Sequence, residues 1–127
     1  MQKFDSNSGS FGEKVNFVDE NNVFVGYCLD QNCCENADWF VSEKITPYSY
    51  DGHNDIKDFD FSGYSFDKLF MQSVESDSLD SGGQVCFKMV NKNGDVKYLN
   101  LFNSHNGYYH HGFEFKNGDD IIKSGSL

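Results

Sequence analysis

Hydrophobic and polar residues alternate along much of the chain with a period of two, which is the period of a β-strand. Three pairs of alternating segments are each separated by a short polar loop: 14–18 and 23–28, 84–90 and 96–102, and 108–115 and 121–123. Two of the loops contain Asn-Gly, which supplies the positive-φ residues that tight hairpin turns need. The pattern therefore predicts three β-hairpins.

The second hairpin shows how side chains divide between two faces. Val85, Phe87 and Met89 alternate with Cys86 and Lys88, so one face is apolar and the other is mixed. This division is expected of a sheet that is covered on one side. We therefore predict a mainly β (β-rich α+β) fold, either a single antiparallel sheet or a sandwich built from hairpins, forming one domain over residues 1–127.

Two stretches depart from the alternation. Asp30 or Asn32 can cap a helix, and acidic residues in its first turn suit the helix dipole, so one short helix is predicted near residues 32–39. Residues 46–83 combine turn residues and a serine-rich acidic tract with brief Phe-rich strands. This second stretch is predicted to be rich in loops.

The length and composition indicate a folded protein. A chain of 127 residues buries about two-thirds of its unfolded surface, and aromatic residues at 17% exclude the composition of a disordered protein. No apolar run approaches the ~18 residues of a membrane span, and Met1–Phe11 lacks the basic and apolar regions of a signal peptide. We therefore expect a cytoplasmic protein with no membrane partner.

Acidic residues are concentrated in the middle of the chain. The net charge of the chain is −10, and residues 19–80 hold fourteen Asp and Glu against three Lys, which gives −11. The chain contains no Arg, the residue that forms bidentate contacts with phosphate and guanine. Direct nucleic-acid binding is therefore disfavoured, and a basic protein partner is the natural complement. The alternative is that the acidity only keeps the protein in solution.

The predicted partner-binding residues lie in the loop-rich part of this acidic segment. Acidic side chains there supply a charged rim, and the aromatic side chains beside them are candidate anchors for a partner. Because loops run over the surface, all of these side chains are expected to be exposed. The predicted set is Asp51, Asp55, Asp58 and Asp60 with the aromatic residues Tyr48, Tyr50 and Tyr64.

The four cysteines are candidates for metal binding or for disulfides. Cys28, Cys33 and Cys34 lie close in sequence, but no pair has the Cys-x-x-Cys spacing of many zinc sites. Two adjacent cysteines also do not easily aim both sulfurs at one tetrahedral ion. Because the cytosol keeps thiols reduced, we expect buried free thiols, with no metal and no cofactor.

A second candidate metal site begins at Asp58. The run Asp58–Gly63 matches the first half of a calcium loop, but Leu69 occupies the position of the bidentate Glu. Alternating Phe and Asp residues within this run instead favour a strand whose carboxylates face water.

Three of the four histidines lie close together around Gly107. His105 beside Cys33 or Cys34 would make a nucleophilic thiolate, because an imidazole within hydrogen-bond reach lowers the pKa of a thiol. No local signature accompanies such a pair. We therefore do not predict an enzyme, and a small Cys/His enzyme stays an alternative.

Three blocks of the sequence resemble a recurrent family of small bacterial proteins. They are Leu29–Phe40, with Cys-Cys-Glu-x-x-x-Trp-Phe, Leu101–Phe113, with His-Asn-Gly-Tyr-Tyr-x-His-Gly-Phe, and the terminal Lys123–Leu127. In size, acidity and β-rich composition, the chain also resembles immunity proteins of contact-dependent growth inhibition. Those proteins bind a cognate toxin domain, often a nuclease, and block it.

The second resemblance implies a function. We expect an immunity protein that binds and neutralises a cognate bacterial toxin domain, a nuclease (RNase or tRNase), by covering its basic active-site cleft. One alternative is a phage-type acidic anti-defence inhibitor of a nucleic-acid enzyme, and the other is the Cys/His enzyme.

Folding is predicted to need neither a metal ion nor a disulfide, because the length and aromatic content supply a core. Thermal melting with EDTA or with a reductant should give a midpoint within about 10 °C of the untreated protein, since one kcal/mol shifts the midpoint of such a domain by a few degrees. A larger fall under either condition would reveal a stabilising metal or disulfide.

Overall fold

A computed structural model describes residues 1–7, 12–31 and 33–127 of the chain and shows an antiparallel β architecture. Within these residues the helical structure is one 3-10 turn, Asp77–Leu79. The strands are β1 (Gln2–Asn7), β2 (Glu13–Val18), β3 (Val23–Cys28), β4 (Asn36–Ser42), β5 (Ser65–Ser73), β6 (Gly83–Val90), β7 (Val96–Ser104), β8 (Gly112–Asn117) and β9 (Asp120–Ser126).

The strands form two antiparallel sheets, in the orders β1-β2-β3-β8-β9 and β4-β7-β6-β5. The three predicted hairpins are confirmed as the pairs β2–β3, β6–β7 and β8–β9, although β8 begins four residues later than predicted, at Gly112. The mainly β, antiparallel fold predicted from the sequence is therefore confirmed, in its two-sheet form.

The two sheets share one hydrophobic core. Phe17 and Phe115 contribute from the five-stranded sheet, and Phe87 and Leu99 contribute from the four-stranded sheet, all with 1% or less of their surface exposed. The rings of Phe87 and Phe115 meet edge to face, with their centroids 4.9 Å apart. Such aromatic pairs add stabilisation beyond the area that they bury.

The predicted short helix near residues 32–39 is wrong. Asn32 lies outside the described residues, and β4 occupies residues 36–42 as an edge strand paired with β7. Ala37, Trp39 and Val41 point to the shared core, which is the period-two pattern of a strand. Burial of this face outweighs the local capping signals that favoured a helix.

The brief Phe-rich strands predicted within the loop-rich segment 46–83 correspond to one strand of nine residues, β5. Its pairing with β6 is interrupted by a register shift between Phe66 and Met71. The strand proposed around Asp58 is absent, because Asp58 lies in a turn with φ of 52°. Phe59 still packs against the core while Asp58 is exposed, so the expected division between apolar and acidic side chains is found without a strand.

The four-stranded sheet also buries its outer face. Phe40 and Phe102 lie on that face, and Tyr48 and Leu79 cover them from the two long connections that flank β5. The rings of Tyr48 and Phe102 are stacked, with their centroids 4.0 Å apart. The connections are therefore held on the sheet by aromatic packing.

Hydrogen bonds from strand side chains hold the connection between β4 and β5 in place. The Gln84 side chain accepts from the Tyr48 backbone N–H at 2.8 Å and donates to the Thr46 carbonyl at 2.8 Å. It also donates to the Asn100 side chain, which donates in turn to the Ser42 hydroxyl. Gln84 and Asn100 are buried, so these bonds satisfy polar groups that would otherwise cost free energy.

Asp19 is a structural acid at the β2–β3 turn. Its Oδ1 atom accepts from the backbone N–H groups of Asn21 and Val23, each at 2.9 Å, and its Oδ2 atom accepts from the N–H of Phe66 at 2.8 Å. Asp19 is 6% exposed. This carboxylate therefore ties a turn of one sheet to a strand of the other.

Replacing Asp19 with Ala should lower the free energy of unfolding by about 3 kcal/mol or more, because two buried N–H groups lose a charged acceptor. The matched control is Glu20→Ala, which removes the adjacent, exposed acid and should change stability by about 0.5 kcal/mol at most. Urea denaturation measures both variants. Equal losses would contradict the structural role of Asp19.

Candidate functional site

Most acidic residues of the segment 19–80 lie at the surface. Asp19 and Glu35 are buried, and the other twelve are exposed or partly exposed. The negative charge of this segment therefore belongs mainly to the surface, where it is available to a partner.

Two of the three predicted aromatic anchors are not exposed. Tyr48 is 7% exposed beneath the connection that it anchors, and Tyr64 is 9% exposed with its ring 5.0 Å from that of Phe59. The expectation that Tyr48 and Tyr64 lie at the surface is wrong, because their rings cover sheet faces that the sequence does not reveal. Tyr50 is 84% exposed, and the expected exposure of this residue is confirmed.

Tyr50 lies where two connections meet. Its backbone N–H donates to the Ser78 hydroxyl at 3.1 Å, and the Ser76 hydroxyl donates to the Tyr48 carbonyl. Ser76 also caps the 3-10 turn by accepting from the Ser78 N–H at 3.2 Å. These bonds fix segment 47–50 against segment 75–78.

A groove of about 550 Å³ lies between these segments, lined by Pro47 to Ser49 and Glu75 to Ser78. Tyr50 and Asp51 follow Ser49 directly in the sequence. We therefore include them and call residues 47–51 and 75–78 the acidic groove. Asp51, Glu75 and Asp77 are exposed, and the two segments contain no lysine. Sequence reasoning missed Glu75 and Asp77 as site residues, because only the fold brings segment 75–78 against segment 47–50.

Asp55 is predicted as a partner-binding residue but already has a cationic partner. Its carboxylate lies 2.6 Å from the Lys57 ammonium. This hydrogen bond lowers the pKa of Asp55 and raises the pKa of Lys57. Asp55 lines a separate depression of about 360 Å³ with Glu43, Lys44 and neighbouring residues, so its charge is less available than that of the acidic groove.

Asp58 and Asp60 are exposed on either side of Phe59. Asp60 accepts from the Ser62 backbone N–H at 3.0 Å, and this hydrogen bond lowers the pKa of Asp60. Both acids remain candidates for partner binding. Of the four predicted aspartates, only Asp51 lies in the acidic groove.

A second cluster of functional groups is formed by His111 and Glu35, which directly precede β8 and β4 and are buried. His111 donates from Nδ1 to the Cys28 carbonyl at 2.7 Å, since a carbonyl only accepts. Its Nε2 atom lies 3.3 Å from Glu35 Oε2, and Glu35 Oε1 accepts from the Cys33 backbone N–H at 2.8 Å. Both side chains have 1% or less of their surface exposed.

The hydrogen bonds of His111 and Glu35 determine how many protons these two side chains need. Because Nδ1 of His111 already carries one proton, a hydrogen bond between Nε2 and Glu35 needs exactly one more. That proton belongs either to an imidazolium facing a carboxylate or to a carboxylic acid facing a neutral imidazole. The pair can therefore hold a proton inside the protein, and breaking it leaves an unpaired buried group.

His105 lies beside this pair but is not arranged to activate a cysteine. Its Nδ1 atom accepts from the Gly107 backbone N–H at 2.8 Å, and its Nε2 atom is buried. Burial lowers the pKa of His105, and the nearby His110 and His111 lower it further.

The cysteines differ from the sequence-based expectation. Cys33 and Cys34 are exposed and joined by a disulfide, Cys86 is a buried free thiol, and Cys28 is a partly exposed free thiol. The expectation of four buried free thiols is therefore wrong for the adjacent pair. No group of three or more Cys, His, Asp or Glu side chains that could hold a metal ion occurs among residues 1–7, 12–31 and 33–127.

The three sequence blocks Leu29–Phe40, Leu101–Phe113 and Lys123–Leu127 meet at this buried cluster. Glu35 and His111 join the first two blocks. The third block is joined through Leu127, whose carbonyl accepts from the Asn103 side chain at 3.0 Å and from the His111 backbone N–H at 3.0 Å. These residues therefore build one structural junction.

Comparison with protein-family models, with curated proteins and with solved structures finds no significant match to this chain. In the part of the chain that the structure describes, no helix is both long and apolar enough to cross a membrane.

The Glu35–His111 pair allows a substitution that separates charge from hydrogen bonding. Glu35→Gln keeps an acceptor for the Cys33 N–H and supplies an N–H donor to neutral His111, so the free energy of unfolding should fall by about 1 kcal/mol or less. Glu35→Ala leaves both partners unpaired and should cost about 3–5 kcal/mol. Urea denaturation at neutral pH compares the two variants. A loss as large in Glu35→Gln as in Glu35→Ala would show that the carboxylate charge itself is required.

Proposed function

We propose that this chain is an immunity-type protein that binds a cognate bacterial toxin domain in the cytoplasm and neutralises it. The toxin domain is a nuclease, and the chain covers its basic active-site cleft. The observation that supports the proposal is the acidic groove, whose two hydrogen-bonded segments carry the exposed residues Tyr50, Asp51, Glu75 and Asp77. No residue of the chain has a catalytic role in this proposal.

The negative charge of the acidic groove favours fast association with a basic partner. A nuclease presents a basic surface to phosphates, and an acidic surface attracts it over distances of about one Debye length, ~8 Å at physiological ionic strength. Such attraction raises association rates well above those of neutral surfaces. Speed matters for an inhibitor, because free toxin acts until it is bound.

Tyr50 is a suitable anchor residue for a partner. Tyrosine is enriched among the residues that dominate binding energy, and such residues are surrounded by polar groups that exclude water in the complex. Tyr50 has this arrangement, because its ring is exposed while its backbone is held by Ser78. A fixed backbone reduces the entropy that is lost on binding.

A phage-type acidic inhibitor of a nucleic-acid enzyme is the second candidate. The same groove supports it, since enzymes that bind nucleic acids are basic at their active sites. The small Cys/His enzyme has less support. His105 is buried, and the exposed cysteines are oxidised to a disulfide.

The domain encoded directly upstream of this chain tests the proposal. Expression of that domain alone should arrest bacterial growth, and the domain should cleave RNA or tRNA. Co-expression of the chain should restore growth. The purified proteins should form a complex in size-exclusion chromatography. A harmless upstream domain, or a toxic one that the chain neither binds nor neutralises, would contradict the immunity function. Binding to a phage target would favour the second candidate.

Charge reversal tests the acidic groove. Glu75→Lys with Asp77→Lys should slow association with the toxin domain about tenfold at low salt and weaken the salt dependence of the rate. The matched control is Asp119→Lys with Asp120→Lys, which makes the same charge change at exposed residues in the near-neutral C-terminal part. Stopped-flow fluorescence measures both rates, after circular dichroism confirms folding. Equal effects would mean that the groove is not the binding surface.

Tyr50→Ala should instead act on dissociation. Loss of an anchor that is buried in the complex should cost about 1.4 kcal/mol, which corresponds to a dissociation rate about tenfold faster. Tyr108→Ala is the matched control, because Tyr108 is 81% exposed and lies outside the acidic groove. An unchanged dissociation rate in Tyr50→Ala would exclude Tyr50 as an anchor.

A further inference from the structure

Cys33 and Cys34 form a surface feature that the proposed function does not use. Both residues are exposed, and the bond between them shows that the two sulfur atoms face the same side of the chain. Cys86 is fully buried, and burial raises its thiol pKa to about 11. The accessible sulfur chemistry is therefore concentrated in the adjacent pair, with Cys28 as the partly exposed alternative.

The backbone beside the pair is anchored. The Cys33 N–H donates to Glu35, which is buried and paired with His111, and β4 begins at the next residue, Asn36. These contacts do not involve the sulfur atoms. Reduction of the disulfide therefore leaves two thiols next to each other on a backbone that the protein already holds in place.

We propose that Cys33 and Cys34, once reduced, form a dithiol site that chelates trivalent arsenic. A dithiol reductant first breaks the sulfur–sulfur bond. Each cysteine sulfur gains a hydrogen, and the two thiols of the reductant form a disulfide with each other. An arsenic(III) oxide then condenses with the two cysteines. Two arsenic–sulfur bonds form, and water leaves with the oxygen of the arsenical and both thiol hydrogens, without a change in oxidation state.

The geometry of the pair selects this ligand over other soft metals. Thiolates prefer soft ions. Zinc needs four tetrahedral ligands, and the described residues contain no group of three or more Cys, His, Asp or Glu side chains that could hold a metal ion. Two-coordinate copper(I) needs sulfur atoms on opposite sides of the metal, which adjacent residues do not reach. Arsenic(III) is pyramidal with a narrow S–As–S angle, so two neighbouring sulfurs satisfy it.

Intact-mass spectrometry with phenylarsine oxide tests the site. The full chain is reduced with dithiothreitol, separated from the reductant and mixed with an equimolar amount of the arsenical. The wild-type protein should gain one phenylarsenic group with loss of water. This adduct should survive an excess of a monothiol and be removed by 2,3-dimercaptopropanol.

Cysteine variants assign the two sulfurs. Cys33→Ser and Cys34→Ser should each lose the adduct, while Cys28→Ser and Cys86→Ser should retain it. Circular dichroism confirms that each variant folds, and Cys28→Ala replaces Cys28→Ser if the latter does not. The proposal is overturned if the reduced wild type gains no adduct, if the adduct persists in Cys33→Ser or Cys34→Ser, or if it requires Cys28.

Discussion

The structure depends on the burial of both faces of the four-stranded sheet. Its inner face packs against the five-stranded sheet through residues such as Phe87, while its outer face carries Phe102 and the polar side chains of Gln84 and Asn100. Among the described residues, no further sheet covers that outer face, and the two long connections do so instead. Aromatic stacking and buried hydrogen bonds hold them there, and the acidic groove lies where they meet.

Acidic residues in this protein serve two physically different purposes. Asp19 and Glu35 are buried acceptors that join segments distant in sequence, so their removal would lower the stability of the fold. Glu75 and Asp77 face solvent and set the electrostatic field outside the molecule. A count of charges along the chain cannot separate these roles, because the difference arises from burial and hydrogen bonding.

Local signals explain what could be predicted from the sequence. The three hairpins were predictable because their turns and alternating strands are contiguous. Strand β4 was not, because it pairs with β7 more than fifty residues away and its first residues imitate a capped helix. Tyr48 and Tyr50 are separated by one residue in the same predicted loop, yet only the first is buried, because the sheet beneath it is assembled from other parts of the chain. For the same reason, the hydrogen bond between the Tyr50 backbone and Ser78 could not be predicted.

The alternation of Tyr48 and Tyr50 has a consequence for protein engineering. Segment 47–51 directs one aromatic ring into the fold and the other into solvent, so the side chain that holds the segment on the sheet differs from the one that lies at the surface. Positions 50, 51, 75 and 77 can therefore be randomised together as a library while Tyr48, Gln84 and Ser76 are kept as a fixed frame. The two-sheet fold then becomes a scaffold for selecting binders to new basic surfaces.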